Sequence, residues 1–304
     1  MRALLCLVAG VSFAACGGTI RSERIRHAAD ADRCARMPAA ARARPSEPGA
    51  EERSVPPDAP PEVVRVARAA GLEEALDPGW LDDVANRQRV LERVFLLQAE
   101  VGAAANEIGC LDDQIEDVQQ ELVEREDAAE LGFTLGSIAL GALAGVAAGI
   151  AEIAWPDTAI APAIGIAGGI ATGALGALAF FPPSHSVELR HRRNVLAAVD
   201  GSADILPRFV VRLLNAPRAG QPSGTEALRA RWEAILDELS DDPDERLRLR
   251  ETFFGSSGVY DLAALRARET MLEALETEID LQTQDLELFF RYLFPRRSSA
   301  PEAP

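Results

Sequence analysis

The chain has 304 residues with 48 acidic and 31 basic side chains, so its formal net charge is −17. Every basic residue is arginine. The acidic excess argues against a nucleic-acid partner, which needs a basic surface, and against general attraction to anionic lipid headgroups. Aromatic residues make up 5% of the chain and there are 3 histidines, which leaves little material for a cofactor site, and we expect no cofactor.

The N-terminus predicts an export signal over residues 1–15. Arg2 supplies a positive charge, and the apolar run "ALLCLVAGVSFAA" has the length of a signal-peptide core, too short to span a membrane as a mature helix. The run ends in "SFAAC", in which the small residues Ala14 and Ala15 directly precede Cys16.

This stretch resembles the lipobox of bacterial lipoproteins, although Phe13 stands where that family usually has leucine. The resemblance implies that Cys16 carries lipid and becomes the first mature residue. It also implies a protein anchored in a membrane of the bacterial cell envelope and facing the periplasm. Gly17 resembles lipoproteins sent on to the outer membrane. The alternative is an ordinary cleaved signal peptide with Cys16 as a bystander.

Residues 16–61 are rich in alanine, arginine, proline, glutamate and serine, without an apolar period. Because prolines block helices, this composition predicts a mostly disordered tether, and the lipobox resemblance implies that lipid is attached at its first residue. With Cys6 removed in the signal peptide and Cys16 lipidated, Cys34 and Cys110 remain. In an oxidising periplasm these two cysteines could form a disulfide; the alternative is two unpaired thiols.

Residues 62–130 predict a short helix that stops at Gly71, followed by a long helix with a heptad seam. Outside the seam that helix is acidic, which indicates either an acidic docking surface or an ordinary solvated face. Asp112 and Asp113 are expected on an exposed face, without desolvation. The seam consists of Val90, Val94, Leu97, Val101, Ala104, Ile108, Leu111, Ile115, Val118 and Leu122.

Residues 131–183 predict an apolar helical hairpin. The stretches 131–151 and 159–181 carry no charge, and each gives a helix of roughly 30 Å, about one hydrocarbon core. The turn chemistry of "EIAWPDT" separates them, and two prolines close the second arm. Each arm has a glycine trio with a spacing of four, which lets another backbone approach closely. The trios are Gly141, Gly145 and Gly149, and Gly165, Gly169 and Gly173.

The hairpin resembles the glycine-zipper two-helix domain of bacterial lipoproteins and envelope proteins, and the resemblance covers only the lipobox and the hairpin. Two interpretations of the hairpin stay open. Its uncharged arms, and Trp155 near one end, favour membrane association, with insertion or self-assembly. A hairpin that is buried inside a soluble helical body, or that associates with itself, is the alternative, since glycine and alanine contribute little to insertion.

Residues 184–294 predict further helices, beginning with "SVELRHRRNVLAAV" and ending with a long helix over 261–294. In the last helix Leu265, Leu272, Leu275, Ile279, Leu286, Phe289 and Leu293 keep a heptad register, with Arg268 and Gln282 as polar exceptions. We expect the two heptad helices to pack together in an elongated bundle of all-α class, followed by a disordered tail over 295–304.

The chain contains no recognisable catalytic motif. His185 and His191 lack neighbouring metal ligands and indicate a basic turn, and "GSSG" at residues 255–258 indicates a loop. The sequence therefore predicts a non-enzymatic, lipid-anchored envelope protein with a structural or scaffolding role, and a second copy or another envelope protein as partner. The alternative is an α-helical pore-forming protein whose bundle shields the hairpin until it inserts.

Overall fold

The computed structural model describes residues 19–20, 34, 56, 58–77, 79–155, 159–180, 185–191, 193–199 and 205–295. In this part of the chain it has eight α-helices and three short strands, so the predicted all-α class is confirmed. The helices are α1 Pro61–Ala70, α2 Val84–Ala154, α3 Ile160–Phe180, α4 Val195–Ala198, α5 Arg208–Asn215, α6 Gly224–Leu239, α7 Pro243–Phe254 and α8 Leu262–Leu293, and the strands are β1 Thr19–Ile20, β2 Ser186–Arg190 and β3 Ser257–Tyr260.

Several predicted features lie outside the described residues and stay predictions. They are the signal peptide 1–15, the lipidation site Cys16, the interarm turn at Pro156 and Asp157, the prolines Pro182 and Pro183, and the tail residues 296–304.

The chain divides into two compact units. Among the described residues, the first unit contains β1, residues 117–188 and residues 259–262. The second contains Cys34, the described residues between 56 and 116, residues 189–258 and residues 263–295. Helix α2 is one uninterrupted element of 71 residues, so the predicted boundary at residue 130 is not a break in secondary structure.

The heptad pattern of α2 and α8 is confirmed by burial. Every predicted seam residue of α2 is buried except Leu111, which is half-buried, and all seven apolar seam residues of α8 are buried. In the second unit the two helices run antiparallel: Leu91 and Phe290 line one cleft, and Gly109 lies against Glu276 farther along. The predicted pairing of the two long helices is therefore present.

Helices α1 and α6 attach to α8 through buried polar groups. Arg65 of α1 forms an ion pair with Asp285 of α8, and its Nη1 donates to the carbonyl of Leu213 at 3.2 Å. Trp232 of α6 donates its indole N–H to the carbonyl of Met271 at 3.2 Å. These bonds satisfy donors that would be costly to bury unpaired, and they fix both helices along α8.

The polar exceptions of the α8 seam are buried anchors for neighbouring backbone. The amide Nε2 of Gln282 donates to the carbonyl of Val210 at 3.2 Å. Arg268, 4% exposed, donates to the carbonyl of Phe253 at 3.0 Å. The Asn194 side chain donates to the same carbonyl at 2.8 Å. The bond of Arg268 to the end of α7 and the bond of Gln282 to α5 explain why these two seam positions are polar.

His191 belongs to this buried cluster, so the prediction that it lies in a basic turn is wrong. Its backbone N–H donates to the carbonyl of Ser256 at 2.7 Å, and its side chain is buried. Burial first, and then the nearby positive charge of Arg268, lower the pKa of the imidazole to about 3. The ring is therefore neutral in the folded protein at ordinary pH.

The strands correct the expectation that no sheet forms. They make a small sheet in the order β1–β2–β3, with β1 parallel to β2. In β2 the buried Val187 and Leu189 alternate with exposed residues, a period of two. "SVELR" was predicted as the start of a helix and "GSSG" as a loop, whereas they form β2 and the start of β3.

Within the predicted tether, residues 16–61, the structure describes β1, Cys34, residues 56 and 58–60, and Pro61, at which α1 begins. Thr19 and Ile20 form β1. Cys34 is buried and forms a disulfide with Cys110 of α2, with Cα atoms 5.6 Å apart. The side-chain amide of Gln114 donates to the sulfur of Cys34 at 2.9 Å. The prediction of a mostly disordered tether over residues 16–61 concerns mainly residues outside the described ranges and stays a prediction.

Candidate membrane-insertion hairpin

The candidate site is the hairpin formed by the C-terminal part of α2 and by α3. Between Glu130 and Glu152 the α2 arm carries no charged residue, and α3 carries none. A helix satisfies its own backbone hydrogen bonds, which is the requirement for entering hydrocarbon. At 1.5 Å per residue each arm is about 30 Å long, the thickness of a bilayer core.

The arms expose large apolar side chains on several sides. Leu143 is 69% exposed and Ile170 is 70% exposed. Helix α2 is long and apolar enough to cross a membrane; its best 18-residue window has a mean hydropathy of 1.8, and 0% of that window is buried. Helix α3 contains a shorter apolar stretch, Pro162–Ala174. The other exposed side chains are Leu131, Leu135, Ile138, Val146, Ile150, Ile153, Trp155 and Ile166.

This exposure bears on the two interpretations of the hairpin. A core hairpin would bury these side chains, whereas the described part of the protein leaves them uncovered. Contiguous apolar surface of this extent marks a membrane or protein interaction site in folded proteins. This exposure favours membrane association or self-association of the hairpin over burial among the described residues.

The two arms meet at small residues, but mostly not at the predicted ones. A Cβ on Gly168 would lie 2.2 Å from the Cβ of Ala144, so the arms approach too closely here for a side chain at position 168. A Cβ on Gly141 would come within 3.5 Å of Thr172. Only Gly141 of the six predicted glycines lies at this contact, and Gly168 was not predicted.

The other five predicted glycines face open space. A Cβ added to any of them would meet no atom within 4 Å, so their lack of a side chain is not required by contacts within this chain. Packing of these faces against another copy stays a prediction. The five are Gly145, Gly149, Gly165, Gly169 and Gly173.

The base of the hairpin is the end at which both arms join the rest of the first unit. The backbone N–H of His185, beyond the end of α3, donates to Glu126 Oε1 of α2 at 3.5 Å. Ser186 pairs with Thr19 in the parallel β1–β2 ladder. The base thus brings together α2, the chain leaving α3, and β1.

Acidic residues border the α2 arm at both ends. Glu124, Asp127 and Glu130 are exposed before the arm, and Glu152 is exposed at its far end. Because charged side chains are costly in hydrocarbon, these positions bound the segment that a bilayer could cover. The negative charge at the base also gives no attraction to anionic headgroups.

Carboxylates elsewhere in the described chain do not form a metal centre. No group of three or more histidine, cysteine, aspartate or glutamate residues in the described ranges is arranged to hold a metal ion. Asp112 is half-buried rather than exposed, which corrects the sequence prediction. Burial first, and then Glu269, Glu273 and Glu276 of α8, raise the pKa of its carboxyl to about 6.

Comparison with known protein families, with curated proteins and with solved structures found no match.

Proposed function

We propose that this is a lipid-anchored protein of the bacterial cell envelope whose apolar hairpin enters the bilayer and whose helical body acts as a scaffold in the periplasm. A second copy or another envelope protein is the proposed partner of that body. Lipid on Cys16 is one attachment and the hairpin is the other. The body itself has no proposed catalytic role.

The observation that carries the proposal is the uncovered apolar surface of the arms. Fully burying a leucine or isoleucine side chain contributes about 1.5–3 kcal/mol, and many such side chains on the arms are exposed. A bilayer would cover all faces of two arms of about 30 Å, whereas a protein groove would cover only some of them.

The disulfide between Cys34 and Cys110 supports an oxidising location for the body. Disulfides persist in the bacterial periplasm and are rare in the cytosol. Together with the signal-like N-terminus and the lipobox-like "SFAAC", this supports the proposal that the scaffold faces the periplasm.

The pore-forming alternative receives less support. That hypothesis requires the bundle to shield the hairpin until insertion, and the arms are exposed without such a shield in the described residues. Dye release from lipid vesicles on adding the purified protein would favour the pore-forming alternative over a scaffold.

The test removes the two proposed membrane attachments, the lipid on Cys16 and the hairpin, in cells and measures whether the protein stays in the membrane. In Cys16→Ala, lipid labelling should be lost while the protein resists alkaline extraction from membranes, because the hairpin still holds it. Adding Leu143→Arg places a charge near the centre of the α2 arm, which costs about 2.5–3.5 kcal/mol of insertion, so the double variant should be extracted.

Leu247→Arg provides the matched control, since Leu247 is 60% exposed on α7, outside the hairpin. Cys16→Ala with Leu247→Arg should stay in the membrane. Normal lipid labelling of Cys16→Ala would contradict the anchor. Equal extraction of the Leu143→Arg and Leu247→Arg double variants would contradict insertion of the hairpin.

A further inference from the structure

One face of α8 in the second unit is covered by neighbouring helices. Met271, Glu278 and Asp285 lie seven residues apart along α8, so they share that face. Each of them is bonded to a different part of the second unit. The partners are Trp232 of α6, Arg218 beyond the end of α5, and Arg65 of α1.

The α2–α8 pair has another side, which we call the open face and define by two sets of residues at the same spacing of seven. Each set spans three heptads, or about 32 Å along its helix. The two sets lie on the same side, because Gly109 of α2 lies against Glu276 of α8 and one cleft is lined by residues of both sets. The sets are Leu91, Gln98, Ala105 and Asp112 of α2, and Glu269, Glu276, Thr283 and Phe290 of α8.

One end of the open face is an apolar cleft with a volume of about 650 Å³. Phe95 at its edge is 72% exposed and Leu91 is 44% exposed. A small molecule in this cleft would stay largely in water, unlike ligands in enclosed sites. A helix laid along the cleft would cover both side chains. The apolar side chains that line the cleft are Leu91, Val94, Phe95, Leu286 and Phe290.

The other end of the open face is acidic. Burial first, and then Glu269, Glu273, Glu276 and Asp113, raise the pKa of Asp112. Burial and acidic neighbours also raise the pKa of Glu276. Carboxylates that disfavour one another's charge are stabilised when a positive charge is placed among them. This end is therefore complementary to the basic side chains of a partner.

We infer that the open face binds an amphipathic helix of another envelope protein, with apolar residues in the cleft and arginine or lysine residues along the acidic end. Such a helix has about 20 residues, since it covers about 30 Å. A second copy is the less complementary occupant, because it would bring a chain with a net charge of −17 to an acidic surface. The inference rests on the proposed function, because it takes the body as a scaffold and gives the chemistry of its partner.

The first test uses a synthetic helical peptide of this design as the probe. It carries leucine and phenylalanine at i, i+3, i+4 and i+7 at one end and arginine at the other, and two versions with opposite order cover both orientations. Fluorescence anisotropy measures binding to the full-length protein in phosphatidylcholine nanodiscs, with empty nanodiscs as background. We expect saturable binding that weakens with salt. A peptide with glutamate in place of arginine should bind at least tenfold more weakly. Binding no stronger than background, or equal binding of the arginine and glutamate peptides, overturns the inference.

The second test concerns the apolar end. Leu91→Ser with Phe95→Ser should weaken binding of the arginine peptide at least tenfold, because exposed side chains in a cleft act as anchors for a partner. Leu247→Ser provides the matched control, since Leu247 is 60% exposed on α7, and it should leave binding unchanged. Wild-type circular dichroism and urea midpoints show that the variants are folded. Equal binding by both variants overturns the inference.

The third test separates the acidic end from general attraction to an acidic protein. Asp113→Asn with Glu273→Gln, both exposed, should weaken binding about fivefold at low salt. The control removes two exposed carboxylates at the end of α6, Glu238→Gln with Asp241→Asn, and should leave binding unchanged. Equal weakening by the two pairs overturns the inference.

Sedimentation velocity of the same samples without peptide tests the second copy as occupant. Wild-type dimers that Leu91→Ser with Phe95→Ser dissociates would make a second copy the occupant and overturn the inference. Peptide binding does not require attachment through Cys16 or the hairpin. Failure of the extraction assay above therefore refutes the proposed function, whereas failure of peptide binding with normal membrane attachment refutes only the partner inferred for the open face.

Discussion

Mild acid should destabilise the second unit through His191. The imidazole is 8% exposed, and burial together with the charge of Arg268 lowers its pKa from the ordinary value of 6.5 to about 3. The folded state therefore excludes a proton that the unfolded chain binds. Stability from the neutral ring is present above pH 6.5 and is lost as the pH falls from there toward 3.

The size of the effect follows from the two pKa values. Each pH unit between them is worth about 1.4 kcal/mol. pH 5 lies about 1.5 pH units below the pKa of the unfolded histidine, and the folded histidine is still neutral there. The free energy of unfolding should therefore fall by about 2 kcal/mol relative to pH 7.

Other groups change stability in the opposite direction over the same range. The pKa of Asp112 is raised to about 6 in the fold, so its protonation adds stability as the pH falls below 6. The comparison must therefore be between the wild type and His191→Gln, which shares Asp112 but cannot titrate at position 191.

Urea unfolding of both proteins at pH 7 and pH 5 provides the measurement. Between these pH values the wild type should lose about 2 kcal/mol more than His191→Gln, whatever the absolute stability of the variant. The same pH dependence in both proteins would show that His191 is protonated in the fold, and the account of the buried cluster would be refuted.

Two further predictions concern α2. Replacing Cys34 and Cys110 by serine should lower the free energy of unfolding by about 4.5 kcal/mol in the chain-entropy model, since their sequence separation is 76. A reductant should have no effect on the stability of this variant. Equal urea midpoints for the wild type and the variant would contradict a stabilising role of the disulfide. Asp112→Asn should raise stability at pH 7 by about 1 kcal/mol, after allowing for solvent screening, because it removes a carboxylate whose charge is disfavoured first by burial and then by Glu269, Glu273 and Glu276. This gain should disappear by pH 4, and a gain that persists at pH 4 would assign the effect to packing instead of charge.

The long helices were predictable because their signal is local and repeated. A heptad pattern such as that from Val90 to Leu122 specifies both a helix and its buried face, wherever the partner lies in the chain. Strand β2 has only five residues, and its partner β1 has two. With so few residues the period of two is too short to identify, and the pairing of Thr19 with Ser186 joins distant parts of the sequence.

The hairpin was predictable as an element, but the contact between its arms was not. Apolar and small residues occur on every face of both arms, so periodicity does not select one face as it does in an amphipathic helix. The half-buried residues Gly141, Ala144 and Gly168 mark the face that is used. In the sequence, two adjacent glycines, Gly168 and Gly169, both marked a place where the second arm could be approached closely. The prediction from a spacing of four chose Gly169, whereas the contact is at Gly168.

Burial of single polar residues also depended on neighbours that the sequence does not place. Asp112 lies on the acidic side of its helix, and only the approach of α8 brings Glu273 and Glu276 beside it. The same applies to His191, whose surroundings come from Arg268 and from the backbone after α7.

The closure of the second unit by its last helix has a consequence for the order of folding. Arg65 meets Asp285, 220 positions later in the chain. A ribosome or a translocation channel delivers the chain from its N-terminus, so the apolar seam of α2 emerges long before α8 can cover it. Contacts of such high sequence separation form slowly, and the nascent chain must be kept from aggregating until its final helix arrives.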